Sequence, residues 1–277
     1  WKSLEVPMKK IKNKKLPYVC LVHGNEVIIK NNTHHKRILN CFKGVNKIVS
    51  NSEYTKSLIK KISPDLKNIN VINPGVSSFD DIIEEEVELI DGKPTILTLA
   101  RLEKRKGHEH ILKAISNLKI KYPNIRYIIA GEGKERPHLE SLASSLNISK
   151  NVIFIGSIND GQKKFILNKT NLMIMPTLDE SKRLSIEGFG ISYIEAALFG
   201  IPSIASNVGG TDEAVLHNET GIIIDNLDKL ENTIRDLIGN EIKMKNLGEK
   251  AKKRAENQLS WSKIIKDYNN LIAEIKL

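Results

Sequence analysis

From residue 94 to residue 225 the chain alternates between short apolar runs and segments with helical spacing, and this rhythm limits the available folds more than any other feature. Apolar runs stand at 94–100 (PTILTLA), 125–131 (IRYIIAG), 151–156 (NVIFIG), 171–177 (NLMIMPT), 201–206 (IPSIAS) and 220–225 (TGIIID). Helical patterns fill most of the gaps. Residues 107–122 place Ile111, Leu112, Ile115 and Leu118 on one face, and 134–148 and 191–199 also read as helices. Runs that are apolar throughout, not at every second position, are strands covered on both faces, and strands joined by helices run parallel. The pattern predicts an α/β fold built on a doubly wound parallel sheet.

Residues 1–78 carry a shorter form of the same rhythm, with strands expected at 18–23, 46–50 and 69–73 and helices near 34–43 and 53–61. That is too little for a full doubly wound domain. The acidic stretch 79–92 reads as an interdomain connection, 93–257 as the larger domain, and 258–277 as a final amphipathic helix. Trp261, Ile264, Ile265, Tyr268 and Leu271 form an apolar stripe on that helix that needs a partner surface.

Composition narrows the class. A chain of 277 residues with 40% apolar side chains suits one large or two modest domains. No apolar run approaches the ~20 residues that span a bilayer. Cys20 and Cys41 are too few for a disulfide framework, which points to a reducing cytoplasmic setting. Residues 1–60 hold 13 Lys/Arg against 3 Asp/Glu, which accounts for the whole net charge of +10. This basic end, including MKKIKNKK at 8–15, suits peripheral contact with an anionic membrane surface or an anionic acceptor. Nucleic acid is disfavoured: no recognition motif is present and aromatic residues for stacking are scarce.

In an open parallel sheet, ligands sit beyond the carboxyl ends of the strands, so the loops after them hold the candidate chemistry. Arg101 and Lys106 follow the 94–100 strand; a planar fork and a point charge together suit a diphosphate. Gly131 and Gly133 follow the next strand, where a bare backbone can approach a ligand. A dinucleotide fingerprint would need a third glycine where Arg136 stands, which disfavours a nicotinamide-dependent oxidoreductase. Gly156 and Ser157 are placed similarly. The loop 177–189 ends in Glu187 and the Gly188-Phe189-Gly190 turn before a helix that begins near Ile191 and carries Glu195. Amides at that helix start suit a phosphate, while the two carboxylates suit the hydroxyls of a sugar and a ribose. His23 ends the first strand and is placed to face the larger domain across a cleft.

Taken in order, His23-Gly24, SNSEYTKSLI, VINPGV, ARLEKRKG, GEG and the Glu-x7-Glu segment EGFGISYIEAALFGIPSIAS resemble the family-4 retaining glycosyltransferases (glycosyl transferases group 1). The resemblance runs from about residue 17 to the end. It implies a GT-B fold of two Rossmann-like domains, the N-terminal one incomplete here, as in an N-terminally truncated enzyme. It implies that Arg101 and Lys106 hold the donor diphosphate and that Glu187 holds the donor sugar. The amides of Phe189, Gly190 and Ile191 would contact sugar and phosphate, and Glu195 would hold the ribose. Gly131, Gly133, Gly156 and Ser157 would lie along the nucleoside, the glycines of NVGG at 207–210 would make a further close approach, and His23 would stand near the reacting sugar. The final helix would cross back onto the N-terminal domain.

The implied reaction moves a hexose from a nucleotide-diphosphate sugar, GDP-mannose or a UDP-hexose, to a glycan or lipid-linked acceptor, with retention of configuration, in surface polysaccharide or glycolipid (lipopolysaccharide-type) biosynthesis. No cofactor is expected, and no metal, since no Asp-x-Asp triplet occurs. A non-catalytic nucleotide-sugar-binding module is the alternative that the short N-terminal part suggests.

Overall fold

The computed structural model describes residues 17–88, 91–183 and 185–275. Among them nine strands form two parallel sheets. The smaller contains β1 (Val19–Val22), β2 (Lys47–Ser50) and β3 (Ile69–Val71) in the order β1-β2-β3. The larger contains β4 (Thr95–Leu99), β5 (Arg126–Ala130), β6 (Val152–Gly156), β7 (Leu172–Met175), β8 (Ser203–Ser206) and β9 (Gly221–Ile224), in the order β6-β5-β4-β7-β8-β9. The helices are α1 (Asn32–Lys43), α2 (Glu53–Ile62), α3 (His108–Leu118), α4 (Arg136–Ser145), α5 (Asp160–Lys169), α6 (Ile191–Leu198), α7 (Thr211–Ala214), α8 (Leu230–Ile238), α9 (Glu241–Gln258) and α10 (Trp261–Ala273). The apolar runs read as strands are strands, and the architecture is α/β.

The period of two along each strand divides the larger core into two layers. Ile96, Tyr127, Ile129, Leu172 and Ile174 face one way and meet Ile111, Leu112, Ile115, Leu139 and Ile234 from α3, α4 and α8. Leu97, Ile128, Ala130, Met173 and Met175 face the other way, onto Ile166, Leu167, Tyr193, Ile194 and Ala196 from α5 and α6. Burial on both faces is why these strands are apolar at most positions, with only small hydroxyl residues such as Thr98 and Ser203 buried among them. The strand order reverses between β4 and β7, which opens a crevice beyond their carboxyl ends.

One face of the small sheet packs Cys20, Val22 and Ile48 against Ile38, Phe42 and Ile59 of α1 and α2. On its other face, Val49 and Ile72 meet Ile264 and Leu271 of α10. The stripe on α10 is therefore split, with Ile264 and Leu271 buried and Trp261 and Ile265 partly exposed. The helix is tied down at both ends: Trp261 N donates to Val76 O at 3.2 Å, and Lys47 pairs with Glu274 at 2.5 Å.

The acidic connection is not a free tether. Phe79 is buried edge-on against Phe199, with ring centroids 5.2 Å apart, and Lys164 donates to the carbonyls of Phe79 and Ile82.

The two sheet units also bond to each other directly. Glu213, on α7, accepts from the amides of Glu53 (2.8 Å) and Tyr54 (3.0 Å), the first two of α2. Ser52 accepts from Thr55 N at 3.0 Å. The otherwise orphaned amides of that helix start are thus shared between a local cap and a carboxylate from the other unit.

Candidate active site

Beyond the carboxyl ends of β4 and β7 lies a cleft of about 590 Å³, bounded on the far side by the loop after β1. Its floor is a charged cluster. After β4 the chain turns through a short 3-10 segment, Lys104–Lys106, that leaves Lys104 outside and turns Arg105 and Lys106 inward. Lys106 Nζ stands 2.6 Å from Glu187 Oε2, and Arg105 Nη1 stands 2.8 Å from the same oxygen. The side chains of Lys106, Arg105 and Glu187 are only 10%, 5% and 12% exposed.

Two cations share this carboxylate in a nearly dry site, and Glu103 Oε2 stands 3.8 Å from Arg105 Nη2 as a second, half-buried counter-charge. Burial alone would push Glu187 up, but Lys106 and Arg105 outweigh it and hold the carboxyl below its ordinary value of 4.5. Lys106 moves down from 10.5, because burial and the like charge of Arg105 exceed the pull of Glu187. Arg101 at the rim shares Glu103, so three cations face two carboxylates around the basic turn, and an anion entering the cleft would balance the surplus.

Glu187 leads into the Gly188–Gly190 turn, which is held between two backbones. A methyl on Gly188 would lie 2.1 Å from His23 O, so only glycine lets the turn reach the loop of the opposite unit. Ile186 N donates to Asn25 Oδ1 at 2.8 Å, and Asn51 Nδ2 donates to His23 O at 3.2 Å. Gly190, at φ 106°, opens α6, whose first amides have no acceptor within the helix and border the cleft at Phe189, Gly190 and Ile191. The Phe189 ring is buried in the core, so what this residue offers the cleft is backbone. Ser192 Oγ donates to Leu99 O at 2.7 Å and pins the helix start to the end of β4.

Of the residues singled out in the sequence, the cleft brings together His23, Lys106, Glu187, Phe189, Gly190 and Ile191. His23 is exposed on the opposite wall. Arg101 borders the cleft but does not join the cluster: its side chain is 71% exposed and pairs with Glu103 at 2.8 Å. Arg105 takes the place beside Lys106 that the sequence reading gave to Arg101. In a run of three basic residues, only the turn geometry decides which of them faces inward.

Gly131, Gly133, Gly156 and Ser157 lie outside the cleft lining. A methyl on Gly131 would come 2.0 Å from Ala100 O, and one on Gly133 would come 2.3 Å from Leu102 O. These two glycines admit the neighbouring loop, where the sequence suggested a nucleoside. The glycines of NVGG behave alike, with Gly209 packed on Glu187 O and Gly210 on Gly188 O. Glu195 lies one turn into α6 and is paired with Lys163 at 2.9 Å.

His108 was not anticipated. It is buried directly behind the basic turn, with Nδ1 3.1 Å from Tyr127 Oη, which in turn lies 2.9 Å from Thr98 Oγ1. Burial pushes the imidazole down to about 4; the Arg101 carbonyl opposes this and Lys106 adds to it. Adjacent to a catalytic-looking loop, a lone histidine carries no sequence signal that separates a support from a reactant.

With this geometry in view, the family model for glycosyl transferases group 1 matches residues 79–254, well over half of the chain. The chain belongs to that family. It is 26% identical over 196 residues to a GDP-mannose-dependent alpha-(1-6)-phosphatidylinositol monomannoside mannosyltransferase of Mycobacterium tuberculosis, covering 68% of this chain and 51% of that protein. An alpha-1,3/1,6-mannosyltransferase of Rhizomucor pusillus is 26% identical over 253 residues, covering 77% of this chain and 54% of that protein. The chain thus spans about half the length of these relatives. Among solved structures, Anabaena HepE in complex with UDP and glucose superposes with a TM-score of 0.79 at 17% identity, covering 99% of this chain and 76% of that one. Sucrose-phosphate synthase from Thermosynechococcus elongatus gives 0.80 at 19% identity, covering 97% and 70%. The likeness is one of fold, and the fold is GT-B.

Proposed function

We propose that this protein is a retaining glycosyltransferase that moves a hexose from a nucleotide-diphosphate sugar, GDP-mannose or a UDP-hexose, to a glycan or lipid-linked acceptor in surface polysaccharide or glycolipid biosynthesis. The observation that carries the reading is the buried Arg105–Lys106–Glu187 cluster, at the sheet's switch point and open to the cleft. As the glycosidic bond breaks, negative charge grows on the departing diphosphate. Fixed cations aimed at that charge are worth roughly 3–4 kcal/mol each. Lys106, Arg105 and the amides opening α6 are already placed in a site largely shut off from water, and Arg101 at the rim would close over the phosphates. Both cations donate to Oε2 of Glu187, so Oε1 would receive the sugar hydroxyls. His23 would face the reacting sugar from the other wall. These groups would do the work of a divalent ion, so transfer should persist in EDTA.

The names of relatives support this reading, since mannosyl transfer from GDP-mannose to a glycolipid is what several of them carry in their names. Within it, the basic excess of residues 1–60 would hold the protein against an anionic membrane on its cytoplasmic side. MKKIKNKK at 8–15 lies outside the described residues, and no described helix is long and apolar enough to cross a membrane.

The test is calorimetry with UDP and GDP, followed by a screen of GDP-mannose and UDP-hexoses for nucleotide release. Binding of one nucleotide and turnover of its sugar is expected. Binding with no turnover of any donor would favour the second reading, a nucleotide-sugar-binding module. No binding of either nucleotide would overturn both.

A further inference from the structure

Glu195 follows Ile191 by four residues and Ser192 by three, so it lies one turn deeper on the flank of α6 that those two residues present to the cleft, beyond the cleft lining itself. Its carboxylate is held. Lys163, on α5, donates to Glu195 Oε1 at 2.9 Å and to Asp160 Oδ1 at 3.0 Å. The same ammonium stands 5.7 Å from the centre of the Phe79 ring, within reach of its electron-rich face. Lysine has three N–H donors, and here two carboxylates and a ring surround them. The Lys163 and Glu195 side chains are 18% and 17% exposed, far less than those of an ordinary surface ion pair.

The framework behind Lys163 is rigid. A reciprocal capping box between Asn159 and Gln162 fixes the start of α5. The Phe79 ring is set by its edge contact with Phe199, one residue beyond α6. Lys163 therefore ties one oxygen of Glu195 and leaves Oε2 for another partner.

We infer that Lys163 is a positioning residue: it fixes Glu195 so that the second carboxylate oxygen accepts the ribose hydroxyls of the donor nucleotide. The inference rests on the reading of Glu195 as the ribose acceptor. A carboxylate held by a neighbouring cation meets a diol in one orientation, and a free one has to be ordered on binding. The role is confined to the ribose, since Lys163 touches neither the cation cluster nor the cleft floor.

The experiment compares UDP and GDP with their 2′-deoxy analogues by calorimetry on the full chain. The wild type should prefer the ribonucleotide by about tenfold or more, the scale of a hydrogen bond to a charged group. Lys163→Met should reduce that preference about fivefold or more while leaving affinity for the deoxynucleotide as it was, and Lys163→Arg should retain most of it. Lys163→Gln serves as a second neutral variant should the methionine variant fold poorly. An unchanged preference in the neutral variants, or an equal loss of both nucleotides, overturns the role of Lys163. Glu195→Gln separates the two levels. If it abolishes the preference while the Lys163 variants keep it, only the positioning role fails. If it keeps the preference, or if neither nucleotide binds, the ribose reading fails and the inference fails with it.

Discussion

Lys106, Arg105 and Glu187 are three charges in a nearly dry pocket, and their titration follows from that placement. Glu187 is held low by its cations, so its charge survives from neutral pH down past 4.5 and is lost only as acid falls through the lowered value. Lys106 is shifted down, so nucleotide affinity should begin to fall at a pH below 10.5, and Lys106→Arg should move that alkaline limb upward. A limb at the ordinary lysine value would contradict the burial argument. Lys106→Ala and Glu187→Ala should each lower transfer about 10²-fold or more, with Arg105→Ala close behind; near-normal turnover in any of them would remove that residue from the cluster's work. His108 gives a separate signature in stability. The folded protein binds its proton only near pH 4, whereas the unfolded chain binds it from 6.5 downward. Stability should therefore fall by roughly 3 kcal/mol as pH drops through that window. Urea titrations from pH 7 to 4 should show this slope in the wild type and a shallower one in His108→Gln.

At the scale of elements, the site depends on one turn. The segment from Glu187 to Ile191 carries the carboxylate, the helix-start amides and the contact with the opposite unit within five residues. Gly188→Ala would drive a methyl into His23 O at 2.1 Å. Backbone has to shift to accommodate it, at a cost of about 1–3 kcal/mol. The urea midpoint should drop and nucleotide affinity with it, while Gly44→Ala, at φ −95° with open space around the added methyl, is the control for a glycine substitution without a clash. Equal effects of the two substitutions would show that the turn is not clamped between the units. The turn was legible in the sequence as Gly-Phe-Gly before a helix. What Gly131 and Gly133 do was not, because a glycine that admits a neighbouring loop looks the same in sequence as one that admits a ligand.

For the whole molecule, the relation between the two units is set by few bonds, and Glu213 accepts three of them, from Glu53 N, Tyr54 N and Asn73 Nδ2. Its carboxylate caps a helix that belongs to the other sheet, and Arg254 donates to the carbonyls of Glu213 and Ala214 behind it. Glu213→Ala should leave the Glu53 and Tyr54 amides without their acceptor, at a cost of about 1 kcal/mol. Hydrogen exchange at those two amides should accelerate while the β4–β5 ladder keeps its protection. Unchanged exchange at Glu53 and Tyr54 would mean that this cross-unit cap is not populated in solution. The α/β arrangement in two parts was readable from two sets of apolar runs separated by an acidic connection, and its GT-B form from the resemblance carried by the motifs between His23 and Glu195. The cross-unit cap was not, since residues 160 positions apart carry no local pattern that links them.

By itself the sequence determined the elements and the neighbourhood of the site. Strands covered on both faces must be apolar at most positions, helices must carry a stripe, and ligands gather where such strands end. These are local rules, and residues such as Ile128, Leu112 and Glu187 obey them. Tertiary structure decided which side chains meet. It turned Arg105 inward and left Arg101 at the rim, tied Glu195 to Lys163, buried His108 behind the basic turn, and joined Glu213 to the far helix. The reason is physical: a charged side chain finds its partner through the packing of loops and helices distant in the chain, and burial, which the whole fold sets, then fixes how strongly that charge is felt.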